Sequence, residues 1–167
     1  MVERMSKTLL ALLLMAIIAA SGCTSQIAGT SDEIAKSNEP ISIYSGKVLA
    51  GSSAPLIDFN KADYDAVLKS NKTIVLYFYA TWCPICRAEV PHLYGAFNEV
   101  ATDKVIGFRV NFNDADTDND EINLARQFNV VYQHTKVFLK NGKSIVKSPE
   151  TWDKTRYLIE INKAISE

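Results

Sequence analysis

The stretch at residues 73–86, TIVLYFYATWCPIC, decides the fold. Residues 73–80 form an almost unbroken apolar run, rich in β-branched and aromatic side chains. A strand without polar alternation is buried on both faces, as in a parallel sheet covered by helices. The run leads directly into Thr81, Trp82, Cys83, Pro84, Ile85 and Cys86. A helix is expected to begin within this motif and to continue to about Val100, kinked at Pro91. Pro84 suits its first turn, where a missing N–H is lost cheaply.

Two cysteines one turn apart at a helix start have a defined chemistry. The first thiol meets free backbone N–H groups at the positive end of the helix dipole, which stabilise a thiolate and lower its pKa. Cys83 is therefore expected to attack a substrate disulfide, and Cys86 to resolve the mixed disulfide. The competing readings are a structural disulfide and half of a zinc site. So small a ring would constrain little of the unfolded chain, and a zinc site usually needs a second pair, which the sequence lacks.

Around this centre the pattern is layered. Residues 56–60 (LIDFN) read as a first strand. Asn60 or Asp63 would cap a helix to about Ser70, with Tyr64, Val67 and Leu68 inward. Residues 105–111 read as a strand, 113–120 as an acidic loop and 121–128 as a short helix. Strands at 136–139 and 143–147 flank Asn141 and Gly142, a two-residue hairpin signal. A last helix starts near Thr151 and carries Tyr157, Leu158, Ile161 and Ile165 inward. The expected fold class is α/β, a central mixed sheet flanked by helices.

The chain has 167 residues, 47% hydrophobic and 22% charged, with a formal net charge of -1. This suits one globular domain and an appendage. No basic excess points to nucleic acid, and no acidic excess to disorder. The appendage is N-terminal. Arg4 and Lys7 precede an apolar run at residues 9–20, too short to span a bilayer comfortably. Small residues Ala20, Ser21 and Gly22 follow, directly before Cys23, which makes 1–22 a secretory signal. The pattern resembles the lipobox of prokaryotic lipoproteins, with Ala20 where leucine is commoner, and implies lipidation of Cys23. A plain cleaved signal with an incidental cysteine is the alternative. Residues 23–50 are assigned to a flexible polar linker, and 51–167 to the folded domain. The expected location is outside the cytoplasm, in the cell envelope, with the protein held to a membrane by its lipid.

WCPIC after LYFYA, Pro91 five residues beyond Cys86, and the later FLKNGK are similar to the thioredoxin family. The resemblance covers residues 56–165. It implies a thioredoxin-like fold, disulfide exchange with protein thiols, and a redox recycling partner. The leader suggests an exported branch, similar to periplasmic thiol–disulfide interchange proteins. No resident cofactor is implied.

Two positions depart from that family. Its buried acid in the strand before the motif is replaced by Tyr77. Glu89, the nearest carboxylate in sequence, is expected toward solvent, so Cys86 is assigned no proton acceptor. The family's cis-proline is replaced by His134, between Gln133 and Thr135. A non-proline cis bond costs ~3 kcal/mol, so His134 is expected to face the sulfurs, where an imidazolium would favour the Cys83 thiolate. A loop histidine facing solvent is the alternative. Trp82, Pro84, Ile85, Gln133, His134 and Thr135 are the candidate substrate-binding or redox-tuning residues.

Other features carry less. Asp114, Asp116, Asp118 and Asp120 alternate like a calcium loop, but Asn119 and Ala125 stand where glycine and glutamate belong. The plainer reading is a solvated loop whose last Asp caps the next helix. His92 reads as a helix-surface residue, and Tyr44, Tyr94 and Trp152 as packing residues. Two other functions compete with disulfide exchange. One is a copper carrier built from Cys83, Cys86 and His134; the other is a tethered binding module, which the intact cysteine pair disfavours.

Overall fold

The computed structural model describes residues 43–166. The expected signal at 1–22, Cys23 and most of the linker lie outside the described residues. Strands β1 (Val48–Ala50), β2 (Leu56–Asp58), β3 (Thr73–Tyr79), β4 (Val105–Asn111), β5 (Lys136–Lys140) and β6 (Lys143–Ser148) form one sheet in the order β1-β2-β4-β3-β5-β6. β4 runs parallel to β2 and β3. The β1–β2, β3–β5 and β5–β6 pairs are antiparallel. Helices α1 (Lys61–Leu68), α2 (Pro84–Glu99), α3 (Asn119–Gln127) and α4 (Lys154–Ser166) complete the fold. None of the described helices is long and apolar enough to cross a membrane.

The apolar run of β3 is explained by its place at the middle of this order. Successive side chains of a strand point to opposite faces. Val75 and Tyr77 enter one core with Leu93, Phe97, Trp152, Tyr157 and Ile161. Ile74, Leu76 and Phe78 enter the other with Tyr64, Val67, Phe108 and Leu124. A strand serving two cores has no solvent face, so it carries no alternation. The hairpin of β5 and β6 also follows from local chemistry. Asn141 and Gly142 both have positive φ, 50° and 72°, as a turn matching the twist of the strands requires.

The structure moves three expected boundaries. The linker does not extend to residue 50, because Val48–Ala50 pairs with β2. Asp63 ties down residues before β1. Asn60 is the cap of α1, and the Asp63 carboxylate reaches back to accept from the backbone N–H groups of Ser45 and Gly46, at 3.1 and 2.8 Å. The cap of α3 is Asp118 and not Asp120. Its side chain accepts from the N–H of Glu121, whose own carboxylate accepts from the N–H of Asp118, a reciprocal pair that starts the helix at Asn119. Finally, α4 begins at Lys154, three residues after Thr151, since Trp152 is drawn into the core.

What draws Trp152 inward is Glu89. This residue of α2 is fully buried, contrary to the expectation of solvent. Its Oε1 accepts from Lys136 Nζ at 2.7 Å, the Tyr157 hydroxyl at 2.7 Å and the backbone N–H of Trp152 at 3.0 Å. Its Oε2 accepts from the Tyr77 hydroxyl at 3.3 Å. Lys136 is equally buried, and also donates to the carbonyls of His134 and Glu150. One ion pair thus ties α2, β3, β5 and the entry to α4. Removing one partner of a buried pair leaves an uncompensated charge, which destabilises by about 3–5 kcal/mol. Glu89→Gln or Lys136→Met alone should lower the urea midpoint accordingly. The double variant should recover much of the loss; equal, additive losses would mean that the two charges do not depend on each other.

Candidate active site

The site forms where β3 ends and α2 begins. Cys83 is the N-cap of α2, with extended backbone, and Pro84 takes the first helical position. The Cys83 Sγ accepts from the Cys86 N–H at 3.1 Å. That bond is the amide donation expected of a helix start. Both cysteines are free thiols here, and both are buried. They pack with Ala80 and the half-buried Tyr79. Burial, and then the hydrogen bond and charge of Cys83, push the Cys86 thiol up to about 11; hydrogen bonds from the Ala80 backbone and the Tyr77 side chain oppose the rise. At neutral pH Cys86 therefore keeps its proton.

Trp82, Pro84 and Ile85 surround the buried sulfurs and are exposed. Trp82 and Ile85 lie near the same end of the sheet as Val131 and Tyr132, which are exposed apolar residues of the loop before His134. Gln133 is half-buried. Thr135 is buried and structural: its carbonyl accepts from the Phe78 N–H at 2.9 Å, and its hydroxyl donates to the Tyr132 carbonyl at 2.7 Å.

His134 is brought to the cysteines, as the sequence suggested. One of its ring nitrogens and the two sulfurs all lie within 4.8 Å of one another. Its backbone is in the left-handed region, φ 55°, a conformation that costs a residue with a Cβ of order 1–3 kcal/mol. Backbone bonds hold it there, from the His134 N–H to the Phe78 carbonyl at 2.7 Å and from the Phe78 N–H to the Thr135 carbonyl. The expectation of an imidazolium is corrected. Burial, together with the nearby Lys136 charge, lowers the His134 pKa, while Glu89 and the Pro149 backbone oppose this only in part. Both causes act against the imidazolium that the sequence suggested.

Several contributors were not found from sequence. Glu89 and Lys136 lie behind the pair, with the Tyr77 hydroxyl between Glu89 and Cys86. Burial, then the Glu89 and Cys86 charges, raises the Tyr77 pKa far above its usual value. The acidic loop braces the motif: Asp114 accepts from the Thr81 N–H at 3.0 Å, and the Asn113 carbonyl accepts from the Trp82 indole at 2.9 Å. Asp114 also accepts from Asp116 N–H and the Thr117 hydroxyl, and Asp118 is the α3 cap. These carboxylates thus organise the loop and the helix after it. His92 is exposed. Trp152 is a buried packing residue, and Tyr94 is half-buried against the same core.

The thioredoxin family profile matches residues 55–164. Thioredoxin of Mycobacterium tuberculosis H37Rv is 31% identical over 99 residues, covering 59% of this chain and 79% of that protein. Thioredoxin H4 of Arabidopsis thaliana is 37% identical over 87 residues, covering 50% and 64%. Among solved structures, the thioredoxin of Malassezia sympodialis superposes with a TM-score of 0.53 at 24% identity, covering 73% of this chain and 99% of that one. The thioredoxin of Aeropyrum pernix gives 0.54 at 17%, covering 72% and 95%. These two likenesses bear on the fold alone. With the profile spanning most of the chain and the paired thiols at the start of α2, the chain belongs to the thioredoxin family and is a thiol–disulfide oxidoreductase.

Proposed function

We propose that this chain exchanges disulfides with protein clients outside the cytoplasm, through its Cys-Pro-Ile-Cys pair, while a lipid on Cys23 holds it at a membrane surface. The observation that carries the chemistry is the inequality of the two sulfurs. Cys83 caps the helix and receives an amide N–H, whereas Cys86 is a protonated thiol behind it, with its pKa at about 11.

In the reductive direction, the Cys83 thiolate attacks one sulfur of a client disulfide. The client S–S bond breaks, a client thiolate leaves, and a mixed disulfide forms. Cys86 then loses its proton and attacks the Cys83 Sγ, breaking the mixed disulfide. The second client thiolate leaves, and the chain keeps the new Cys83–Cys86 bond. The client has gained two electrons and the chain has lost them, so a recycling dithiol partner must return them. The same steps reversed oxidise a client. Exposed Trp82, Ile85, Val131 and Tyr132 offer clients an apolar rim beside the sulfurs.

The proton of Cys86 has a route. Tyr77 bonds to Cys86 and, through the same hydroxyl, to Glu89 Oε2. The other carboxylate oxygen is saturated by Lys136, Tyr157 and Trp152. Oε2 is thus the atom of Glu89 placed to accept a proton, relayed through Tyr77, when Cys86 becomes a nucleophile. Export and anchoring rest on the sequence, where Arg4, Lys7, the apolar run and the small residues precede Cys23.

Four outcomes are expected. Alkylation should modify Cys83 first and reach Cys86 only as the pH approaches about 11, and Cys86→Ser should trap mixed disulfides that Cys83→Ser does not; the opposite order reverses the roles. Tyr77→Phe should slow release from the mixed disulfide by about tenfold or more, visible as its accumulation in rapid-quench experiments; an unchanged rate removes Tyr77 from the proton route. The folded form holds the Cys86 proton more tightly than the unfolded chain does. Stability from this group is therefore complete below pH 9 and is lost as pH rises to about 11. The reduced protein should show that loss, and the oxidised protein, with no Cys86 thiol, should lack it. For the anchor, Cys23→Ser should release the protein into the soluble exported fraction, and mass spectrometry finding a bare Cys23 thiol in the mature chain would overturn lipidation.

A further inference from the structure

We propose that in the dithiol state Cys83, Cys86 and His134 form a three-coordinate binding site for Cu(I), with two thiolates and one imidazole nitrogen as ligands. The first observation is geometric. All three ligand atoms lie within 4.8 Å of one another. A d10 ion holds sulfur at ~2.3 Å and nitrogen at ~2.0 Å, so a planar three-coordinate ion needs ligand atoms about 4 Å apart, within a small side-chain adjustment of the present arrangement.

The second observation concerns His134 itself. Its Nδ1 is buried without a hydrogen-bond partner. A buried polar atom left unpaired usually costs about 1–3 kcal/mol. The residue that carries it is also held in left-handed backbone by bonds to Phe78 and from Thr135. The backbone is thus fixed independently of the ring, and a ligand taking the imidazole lone pair would relieve the unpaired nitrogen beside the sulfurs.

The donor set selects the ion. Two thiolates and an imidazole are soft and borderline ligands, which suit Cu(I). Zinc in a closed protein site takes four ligands. Among the described residues no fourth His, Cys, Asp or Glu joins the cluster, and Glu89 is committed to Lys136, Trp152, Tyr157 and Tyr77. Both sulfurs bind as thiolates, Cys86 giving up its proton to solvent, and two Cu–S bonds and one Cu–N bond form. Copper stays monovalent and no electron moves. Forming the Cys83–Cys86 disulfide removes two electrons and both thiolate donors, so metal holding and disulfide exchange exclude each other at one site.

The test is an anaerobic titration of the reduced full-length protein with Cu(I), in competition with bathocuproine disulfonate, followed by X-ray absorption. One ion per chain is expected, with two sulfurs and one nitrogen in its shell. His134→Asn keeps a residue that tolerates left-handed backbone but removes the imidazole; it should weaken Cu(I) binding at least tenfold and leave a two-sulfur shell. His92→Ala, on the exposed surface of α2, should change neither. Equal affinity and an identical shell in the parent and His134→Asn would overturn the proposal, as would an ion shared between two chains. Disulfide exchange is assayed separately on the parent: loss of exchange with copper binding intact counts against the redox function, and the reverse counts against the metal site.

Discussion

The buried ion pair of Glu89 and Lys136 is the contact on which the rest of this structure depends. A carboxylate and an ammonium with no exposed surface persist only when their remaining donors and acceptors are matched. Here they are matched by groups from two elements and two loops: the Tyr77 hydroxyl of β3, the Tyr157 hydroxyl of α4, the Trp152 backbone N–H, and the carbonyls of His134 and Glu150. Satisfying the pair fixes where α2 crosses the sheet and where α4 starts. Burial lowers the Lys136 pKa, and the hydrogen bond and charge of Glu89 work against that shift. The ammonium also lies over the Trp152 ring, 5.0 Å from its centroid, so the aromatic core shares in holding the charge.

The active site borrows its geometry from this arrangement. Tyr77 occupies the β3 position opposite Lys136 in the antiparallel register, so its hydroxyl meets the carboxylate on one side and the Cys86 thiol on the other. The same register carries His134 and Thr135 to Phe78, which sets the imidazole against the sulfurs. A shift of either strand by one residue would turn Tyr77 and Lys136 to the opposite core and separate the cysteines from both. The acidic loop completes the support from the far side, through Asp114 to Thr81 and the Asn113 carbonyl to Trp82.

Charge and reactivity are kept apart in this site. Cys83 sits at the helix cap and receives an amide. Cys86 is held protonated by burial and by Cys83. At His134, burial and the Lys136 ammonium oppose protonation. Its ring has a shape that differs from the proline of the family pattern.

What the sequence determined by itself is local. The unbroken apolar run at 73–80 specified a strand with two buried faces; Cys83, Pro84 and Cys86 specified a helix start with paired thiols; Asn141 and Gly142 specified their turn. Each depends on side-chain period, a cap or φ preference, which a few neighbouring residues decide. Glu89 shows where such reading ends. One turn beyond Cys86 its surroundings in sequence look like a solvent face, and only the arrival of Lys136, 47 residues away, makes its burial tolerable. The bond from Trp152 to Glu89, the reach of Asp63 to Ser45 and the strand Val48–Ala50 were hidden for the same reason, since the partners are distant in the chain. The charge state of His134 was beyond sequence too. Its place could be counted from the hairpin, but a protonation equilibrium is set by desolvation and by every charge within a few ångströms, and those exist only once β3, β5 and α2 have packed together.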